Sequence, residues 1–416
     1  MKRVVITGLG AITPLGNSVN EFWSNILLGK SGADRITKFD TAKFKTHFGC
    51  EVKNFEVERY VEKKEVKKYD LFTQYAIAAS DEAILDAGLK FENYTLTQRC
   101  DIGVIWASGN GGIGTFENQV KEFYTGDGMP RFNPFFIPKM IADIAAGVIS
   151  IRHKLQGPNY CTVSACASSN TAIINAFDTI RLGKATIIIA GGSEAPITPA
   201  SIGGFNASQA LSKRNEAPTA ASRPFDADRD GFVIGEGAGA LVLEELDHAL
   251  QRGARVYAEI IGGGMAADAY HLTGTPTDGI GAALGMTKAL QDAGISPVKI
   301  DYINAHATST PIGDLSELNG IKKVFGDIPV PISSTKSMTG HLLGAAGAIE
   351  SIICILSVKN DVIPATINVD NPDDQIPSGL NLVTGKYLEC EVTHALNNTF
   401  GFGGHTASSL FKKFSA

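Results

Sequence analysis

The chain has 416 residues, 44% apolar and 19% charged, with a formal net charge of −6. This composition excludes long disorder, which needs low hydrophobicity and high charge, and the acidic balance excludes a general electrostatic attraction to nucleic acid. At roughly 150 residues per domain the length suggests two to three domains, with cores large enough to hold without staples.

From the N-terminus, residues 4–7 read as a buried strand, and residues 31–65 as a charged, helix-poor stretch. Residues 75–87 read as a helix and 102–105 as a strand, followed by a less regular stretch at 116–139 rich in Gly and Pro. Helices are expected at 142–151 and 169–182, then strands at 186–190, 240–243 and 257–261, a helix at 281–293, a strand at 302–304 and a helix at 345–356. Near-continuous apolar strands bounded by glycine indicate sheets covered on both faces, so the class is α/β. No run approaches the ~18 uninterrupted apolar residues of a membrane span. The first residues run straight into a strand, so neither a leader nor a membrane anchor is expected.

The chain echoes itself. Residues 83–89 (Ala-Ile-Leu-Asp-Ala-Gly-Leu) match 289–295 (Ala-Leu-Gln-Asp-Ala-Gly-Ile), each closing a helix with glycine ahead of a strand. Residues 4–10 resemble 257–263 in the same way, pairing Gly10 with Gly263. Helix–Gly–strand is also a common α/β unit, so chance similarity is the competing reading. The preferred one is a duplication, with halves at 1–250 and 251–416 and no Pro/Ser-rich linker between them.

The six cysteines, Cys50, Cys100, Cys161, Cys166, Cys354 and Cys390, show no Cys-x-x-Cys pair and no zinc spacing. Reduced thiols in a cytoplasmic protein are the expectation, with no metal and no cofactor. Cys166 differs from the rest by its place, between a strand end near Cys161 and a helix start at Ser169. A helix N-terminus lowers a thiol pKa and offers N–H groups to an oxyanion, although a free cysteine is most often a small buried hydrophobe. His306 enters a polar turn after a strand, and His341 sits between Gly340 and Gly344. Either histidine alone reads as structural, yet both leave strand ends where α/β sheets carry ligands. Phe400-Gly401-Phe402-Gly403-Gly404 then provides a loop whose backbone can approach a ligand closely. Two histidines, Lys336 and this loop suit stabilisation of an enolate better than cleavage of an amide.

In ordered motifs at 162–170, 223–232, 304–314, 336–350 and 400–404, the chain resembles the elongating β-ketoacyl-acyl-carrier-protein synthases over essentially its whole length. The resemblance implies the thiolase fold, two pseudo-symmetric halves in a five-layered α-β-α-β-α body, and a homodimer that uses acyl- and malonyl-carrier proteins. It implies Cys166 as nucleophile, the Cys166 and Phe402 N–H groups as oxyanion hole, and Phe402 as gate. It makes His306 and His341 neutral donors to the malonyl thioester. Lys336 would orient His341 with support from Glu350, Glu317 and Asp314, the last two also readable as a solvated helix start. Phe205 and Asn110 would line the acyl pocket. Lys64, Lys67, Lys68 and Arg131 would form the carrier-docking face, the alternative being a solvated helix face.

Three residues depart from the pattern. Asn110 stands where an apolar residue is common, and a buried amide needs a partner. The last glycine loop reads Gly403-Gly404-His405-Thr406 where Thr-Asn or His-Asn is more usual, and Ala307 replaces a frequent glycine. Related readings are the same chemistry in a polyketide or aryl-polyene pathway, a non-catalytic chain-length factor, and a thiolase. Retention of Cys166 with both histidines and Lys336 disfavours the factor. The absence of a second cysteine in the C-terminal glycine loop disfavours the thiolase.

Overall fold

The computed structural model describes residues 1–415. The first half contains β1 (Val4–Ile12), α1 (Leu71–Asp86), β2 (Ile102–Ala107), α2 (Ile113–Thr125), α3 (Ile144–His153), β3 (Asn159–Thr162), α4 (Ser168–Arg181), β4 (Ile187–Glu194) and β5 (Gly237–Glu245). The second contains β6 (Ala258–Ala267), α5 (Ile280–Ala293), β7 (Tyr302–Asn304), α6 (Pro311–Phe325), β8 (Pro331–Ser333), α7 (Ala346–Asn360), β9 (Asn381–Leu382), β10 (His394–Gly401) and β11 (His405–Lys412).

Among the described residues, eleven of these strands run in the order β9-β8-β7-β10-β11-β6-β1-β5-β4-β2-β3. The halves join where β1 and β6 pair antiparallel, Val4 opposite Ile260 and Ile6 opposite Ala258. Helices α1 and α3 cover the outer face of the first half-sheet, and α5 covers the outer face of the second with α6 beside it. Helices α4 and α7 lie between, each packed against strands of both halves. The layering is therefore α-β-α-β-α, as the resemblance implies.

The internal echo has a physical cause. A Cβ at Gly8 or Gly10 would lie 2.1 or 1.9 Å from the carbonyl oxygens of Ala83 and Ala79 on α1. At Gly262 or Gly264 it would lie 2.5 or 2.2 Å from those of Ala289 and Gly285 on α5. Alternate glycines thus let each helix backbone ride directly on its strand. The strand register breaks once in each half, between Ile6 and Gly8 and between Ile260 and Gly262. Beyond each break a free strand N–H meets the echoed aspartate: Leu9 donates to Asp86 at 3.0 Å and Gly263 to Asp292 at 2.9 Å. The equivalence is offset by one residue from the sequence pairing, so that Gly10 corresponds to Gly264. Gly88 and Gly294 end the two helices at φ 67°, where a left-handed cap is required.

Two expectations need correction. The stretch 116–139 contains most of α2 and a short helix at Phe136–Met140, because Gly126, Gly128, Pro130 and Pro134 fall between the two, and Pro138 sits in the first turn of the short helix, where its missing N–H is tolerated. The segment around 398–405 is a hairpin, with Asn398 and Thr399 in β10 and only Phe402–Gly404 between the strands. The stretch Leu343–Asn360 is long and apolar enough to cross a membrane by composition, but 89% of it is buried against the other elements. It is a core helix, buried on nearly all sides.

The close contacts make the glycines unequal. Gly10→Ala and Gly264→Ala are each expected to cost about 1–3 kcal/mol by overpacking. Gly253→Ala, with nothing within 4 Å and φ 67°, is expected to cost about 1 kcal/mol. Thermal unfolding should rank the variants in that order, and equal midpoints would contradict the packing described.

Candidate active site

Between β3 and α4 the chain turns sharply. Ala165 takes a left-handed conformation at φ 50°, a strained choice for a residue with a Cβ. Ser168 holds the turn: its hydroxyl donates to the Ala165 carbonyl at 2.6 Å and accepts from the Ser164 N–H at 2.8 Å. The turn presents Cys166 at the N-terminal end of α4. On the other side comes the β10–β11 turn. A Cβ at Gly401 would sit 2.7 Å from the Ser164 carbonyl oxygen and 2.9 Å from the Cys166 nitrogen, so only glycine lets this turn reach the Cys166 backbone. Phe402 follows, 40% exposed.

His306 follows the end of β7, as expected, whereas His341 follows a short helix at Lys336–Thr339 and not a strand end; both are held by their backbones. The His306 and Ala307 N–H groups donate to the two oxygens of Glu317 at 2.9 and 2.7 Å, and the Asn398 amide donates to the same carboxylate at 3.1 Å. The His341 N–H donates to the Val233 carbonyl at 2.7 Å, and its own carbonyl accepts from Gly235 at 2.9 Å. The two rings lie edge to face with centroids 5.3 Å apart, and Phe400 packs on His306 at 5.5 Å. Phe232 packs on His341 and Phe205 on Phe232, both at 5.3 Å. These aromatic contacts limit the rotation of both imidazoles.

Lys336 lies behind them, 1% exposed and paired with Glu350 on α7. Burial and this positive charge push both imidazoles well below the usual histidine range, so both are neutral at physiological pH. Burial raises Glu350 and Glu317 to about 7. The thiol departs from the sequence expectation of a lowered pKa. Burial pushes Cys166 up to about 12, with Glu194 and Glu350 adding to the rise and Lys336 opposing it.

Cys166, His306, His341, Phe402, Phe205 and Asn110 line one cavity of about 800 Å³. Glu317 and His405 reach its wall as well, His405 exposed near the mouth. Lys336, Glu350 and Asp314 stand behind the wall. Asp314 is fully buried, accepting from Ser309, Thr310 and Phe225 N–H groups at 3.0–3.3 Å beside Arg229. Neither Asp314 nor Glu317 is a solvated helix start. Lys64, Lys67, Lys68 and Arg131 do not touch the cavity.

Sequence reading missed Glu194. Its carboxylate is fully buried and accepts from the Ser108 hydroxyl at 2.8 Å, from the Gly109 and Asn110 N–H groups, and from the Asn110 amide at 3.1 Å. The available signal was a carboxylate ending the otherwise apolar run of β4. Arg229 was missed in the same way. It ties the 223–232 motif to Thr310, Pro311 and Asp373.

The chain matches two consecutive family descriptions, the N-terminal domain of the beta-ketoacyl synthases at residues 1–249 and the C-terminal domain at 257–370. It is 47% identical over 417 residues to the 3-oxoacyl-[acyl-carrier-protein] synthase 2 of Staphylococcus aureus strain N315, covering 100% of this chain and 99% of the other. A beta-ketoacyl synthase from Burkholderia phymatum superposes with a TM-score of 0.92 at 34% identity, with 100% of both chains covered. A type II polyketide acyl-carrier protein in complex with its ketosynthase gives 0.87 at 35%, again covering 100% of both chains.

The charges around the thiol have opposite effects, so their removal should separate them. Lys336→Met is expected to slow alkylation of Cys166 by iodoacetamide several-fold at fixed pH, and Glu350→Gln to accelerate it. In every form the rate should climb about tenfold per pH unit through neutrality, as the thiolate fraction grows. A plateau below pH ~8, the signature of a lowered thiol pKa, would contradict a thiol raised by burial.

Proposed function

This chain belongs to the β-ketoacyl synthase family, and from that membership we propose that it is a 3-oxoacyl-[acyl-carrier-protein] synthase. It condenses an acyl group held on Cys166 with a malonyl unit and lengthens the chain by two carbons in fatty acid biosynthesis. The observation that carries the reading is the convergence of Cys166, His306, His341 and the Gly401–Phe402 turn on one cavity. The fatty-acid assignment rests on the 47% relative, against 35% for the polyketide ketosynthase complex.

In the first stage the Cys166 sulfur attacks the thioester carbonyl of an acyl-carrier protein. The carbon–sulfur bond to the carrier breaks, and the departing carrier sulfur leaves with the proton that Cys166 gives up. The N–H groups of Cys166 and Phe402 hold the tetrahedral oxyanion, donors placed where the charge develops. Phe402 swings aside to admit the chain, with glycine on either side of it. In the second stage malonyl-carrier protein enters. Its thioester oxygen takes N–H bonds from His306 and His341. Loss of the carboxylate as carbon dioxide leaves an enolate on that oxygen, which the same two donors stabilise. The enolate carbon attacks the Cys166 thioester, the new carbon–carbon bond forms, and the thiolate leaves and is reprotonated. Neutral imidazoles suit this role, because each must offer a hydrogen bond without surrendering a proton. Burial and the Lys336 charge keep them neutral, and Glu350 holds Lys336 in place. A covalent intermediate between two carrier visits gives ping-pong kinetics.

The enzyme acts as a homodimer. The exposed Phe116, Met129, Phe132, Ile137 and Ile141 around α2 form an apolar face that a second copy would cover. The docking of acidic carriers falls to Lys64, Lys67, Lys68 and Arg131. Three of these are already paired, Lys64 with Glu62, Lys68 with Glu65 and Arg131 with Asp127. Lys67 makes no ion pair among the described residues, which makes it the most available partner. The six cysteines are free, in keeping with a reducing cytoplasmic setting.

Intact-mass measurement after incubation with an acyl-carrier protein should show one acyl adduct, lost in Cys166→Ala. An adduct that survives in Cys166→Ala, or none with any chain, would sink the proposal. Lys67→Glu is expected to raise the KM for carrier substrates several-fold at low salt, with the difference shrinking as salt screens the encounter. An unchanged KM would remove this face from docking.

A further inference from the structure

Apart from the two histidines, Ala165, Phe205, Leu343 and Phe400 line the cavity that Cys166 enters, and Asn110 adds a polar amide to the same wall. The turn bearing Asn110 lies directly against the nucleophile loop: a Cβ at Gly109 would be 3.7 Å from the Ala165 carbonyl and 3.7 Å from the Gly344 nitrogen. The orientation of the Asn110 amide follows from its neighbour. One oxygen of buried Glu194 already accepts from the Ser108 hydroxyl and two backbone N–H groups. Among the described residues, the other oxygen accepts only from the Asn110 Nδ2, at 3.1 Å. That bond turns the amide nitrogen toward Glu194, and Oδ1 accepts no hydrogen bond among the described residues. Asn110 is itself exposed in the single chain, so this acceptor is open to solvent in the absence of an acyl chain.

We propose that Asn110, oriented by Glu194, is a specificity-determining residue that favours acyl chains carrying a hydrogen-bond donor, such as a hydroxyl, where they reach it. A saturated chain long enough to cover Oδ1 displaces its water and returns nothing, whereas a hydroxylated chain replaces that bond. Polar sites discriminate against analogues lacking the polar group far more than apolar pockets discriminate by a methylene. The inference rests on the condensing function proposed above and concerns which chains that site accepts.

The test is acylation of Cys166, followed by intact mass, with carrier proteins bearing short, medium and long saturated chains and their hydroxylated counterparts. Each ratio of rates is taken within one protein. The wild-type ratio of hydroxylated to saturated should rise to about tenfold or more at the length that reaches Asn110. It should fall toward one in Asn110→Leu. Because that change strands a buried Glu194 oxygen, the double variant Asn110→Leu with Glu194→Gln serves as the second form, with the same fall expected. A wild-type ratio near one at every length overturns the inference, as does a raised ratio that persists in both variants. Acylation by no chain at all overturns the condensing function itself, and the two failures are thereby told apart.

Discussion

At Gly347 the two central helices meet. A Cβ there would lie 2.8 Å from both the nitrogen and the Cβ of Asn170, so any larger residue would force α7 off α4. Polar groups lock the crossing. Ser169 accepts the Ala348 N–H at 2.9 Å, and the Asn397 amide donates to the Gly347 carbonyl at 3.0 Å. The Asn170 amide reaches Asn397, Thr399 and Ala407 on the β10–β11 hairpin. Both helices touch at their first turns, so the loops that precede them, carrying Cys166 and His341, emerge side by side. The β10–β11 hairpin, tied to the same amide, delivers Gly401 to the Cys166 backbone. The site is thus a consequence of how closely two halves of one chain can approach.

That closeness has an energetic cost, borne mostly by buried charge and strained backbone. Lys336 and Glu350 form an ion pair in the protein interior, where desolvation offsets much of the attraction. Glu194 and Glu317 are buried with most of their oxygens satisfied by N–H groups from the loops they shape. Ala165, Ser309 and Leu343 hold left-handed conformations at φ 50°, 72° and 47°, each beside a loop that carries a site residue. Strain of this kind persists where surrounding structure over-determines the loop. The scaffold itself is mostly the opposite, with apolar strands whose alternate glycines fit their helices and only a few carboxylates, such as Asp86 and Asp292, capping strand N–H groups.

How much of this was legible in the sequence depends on the range of the forces involved. Strands such as β1, β4 and β5 and helices α4 and α7 declare themselves through local apolar runs. The repeated Asp-Ala-Gly segments reveal the duplication, since Asp86 and Asp292 do the same task in both halves. The one-residue offset between the halves was hidden, because a β-bulge is set by strand pairing and leaves little local trace. Helix α2 was obscured by the Gly and Pro residues that follow it. The nucleophile turn, both histidines and the glycine turn stood out as motifs. Glu194 did not, because its importance comes from loop N–H groups some 85 residues away. The raised thiol pKa was also out of reach: a helix N-terminus is visible in sequence, whereas the burial that outweighs it is a property of the closed cavity.

The central claim is that the first half carries the acyl group and the second half activates the extender. It is tested most directly by isolating the acyl-Cys166 enzyme and mixing it with malonyl-carrier protein in a single turnover. The wild-type acyl-enzyme should discharge as the 3-oxoacyl product. His306→Ala and His341→Ala should still load the acyl group, yet discharge it at least a hundredfold more slowly, as expected when an oxyanion donor is removed. Discharge at the wild-type rate in both variants, or failure of both folded variants to load the acyl group at all, would contradict the division of labour between the halves.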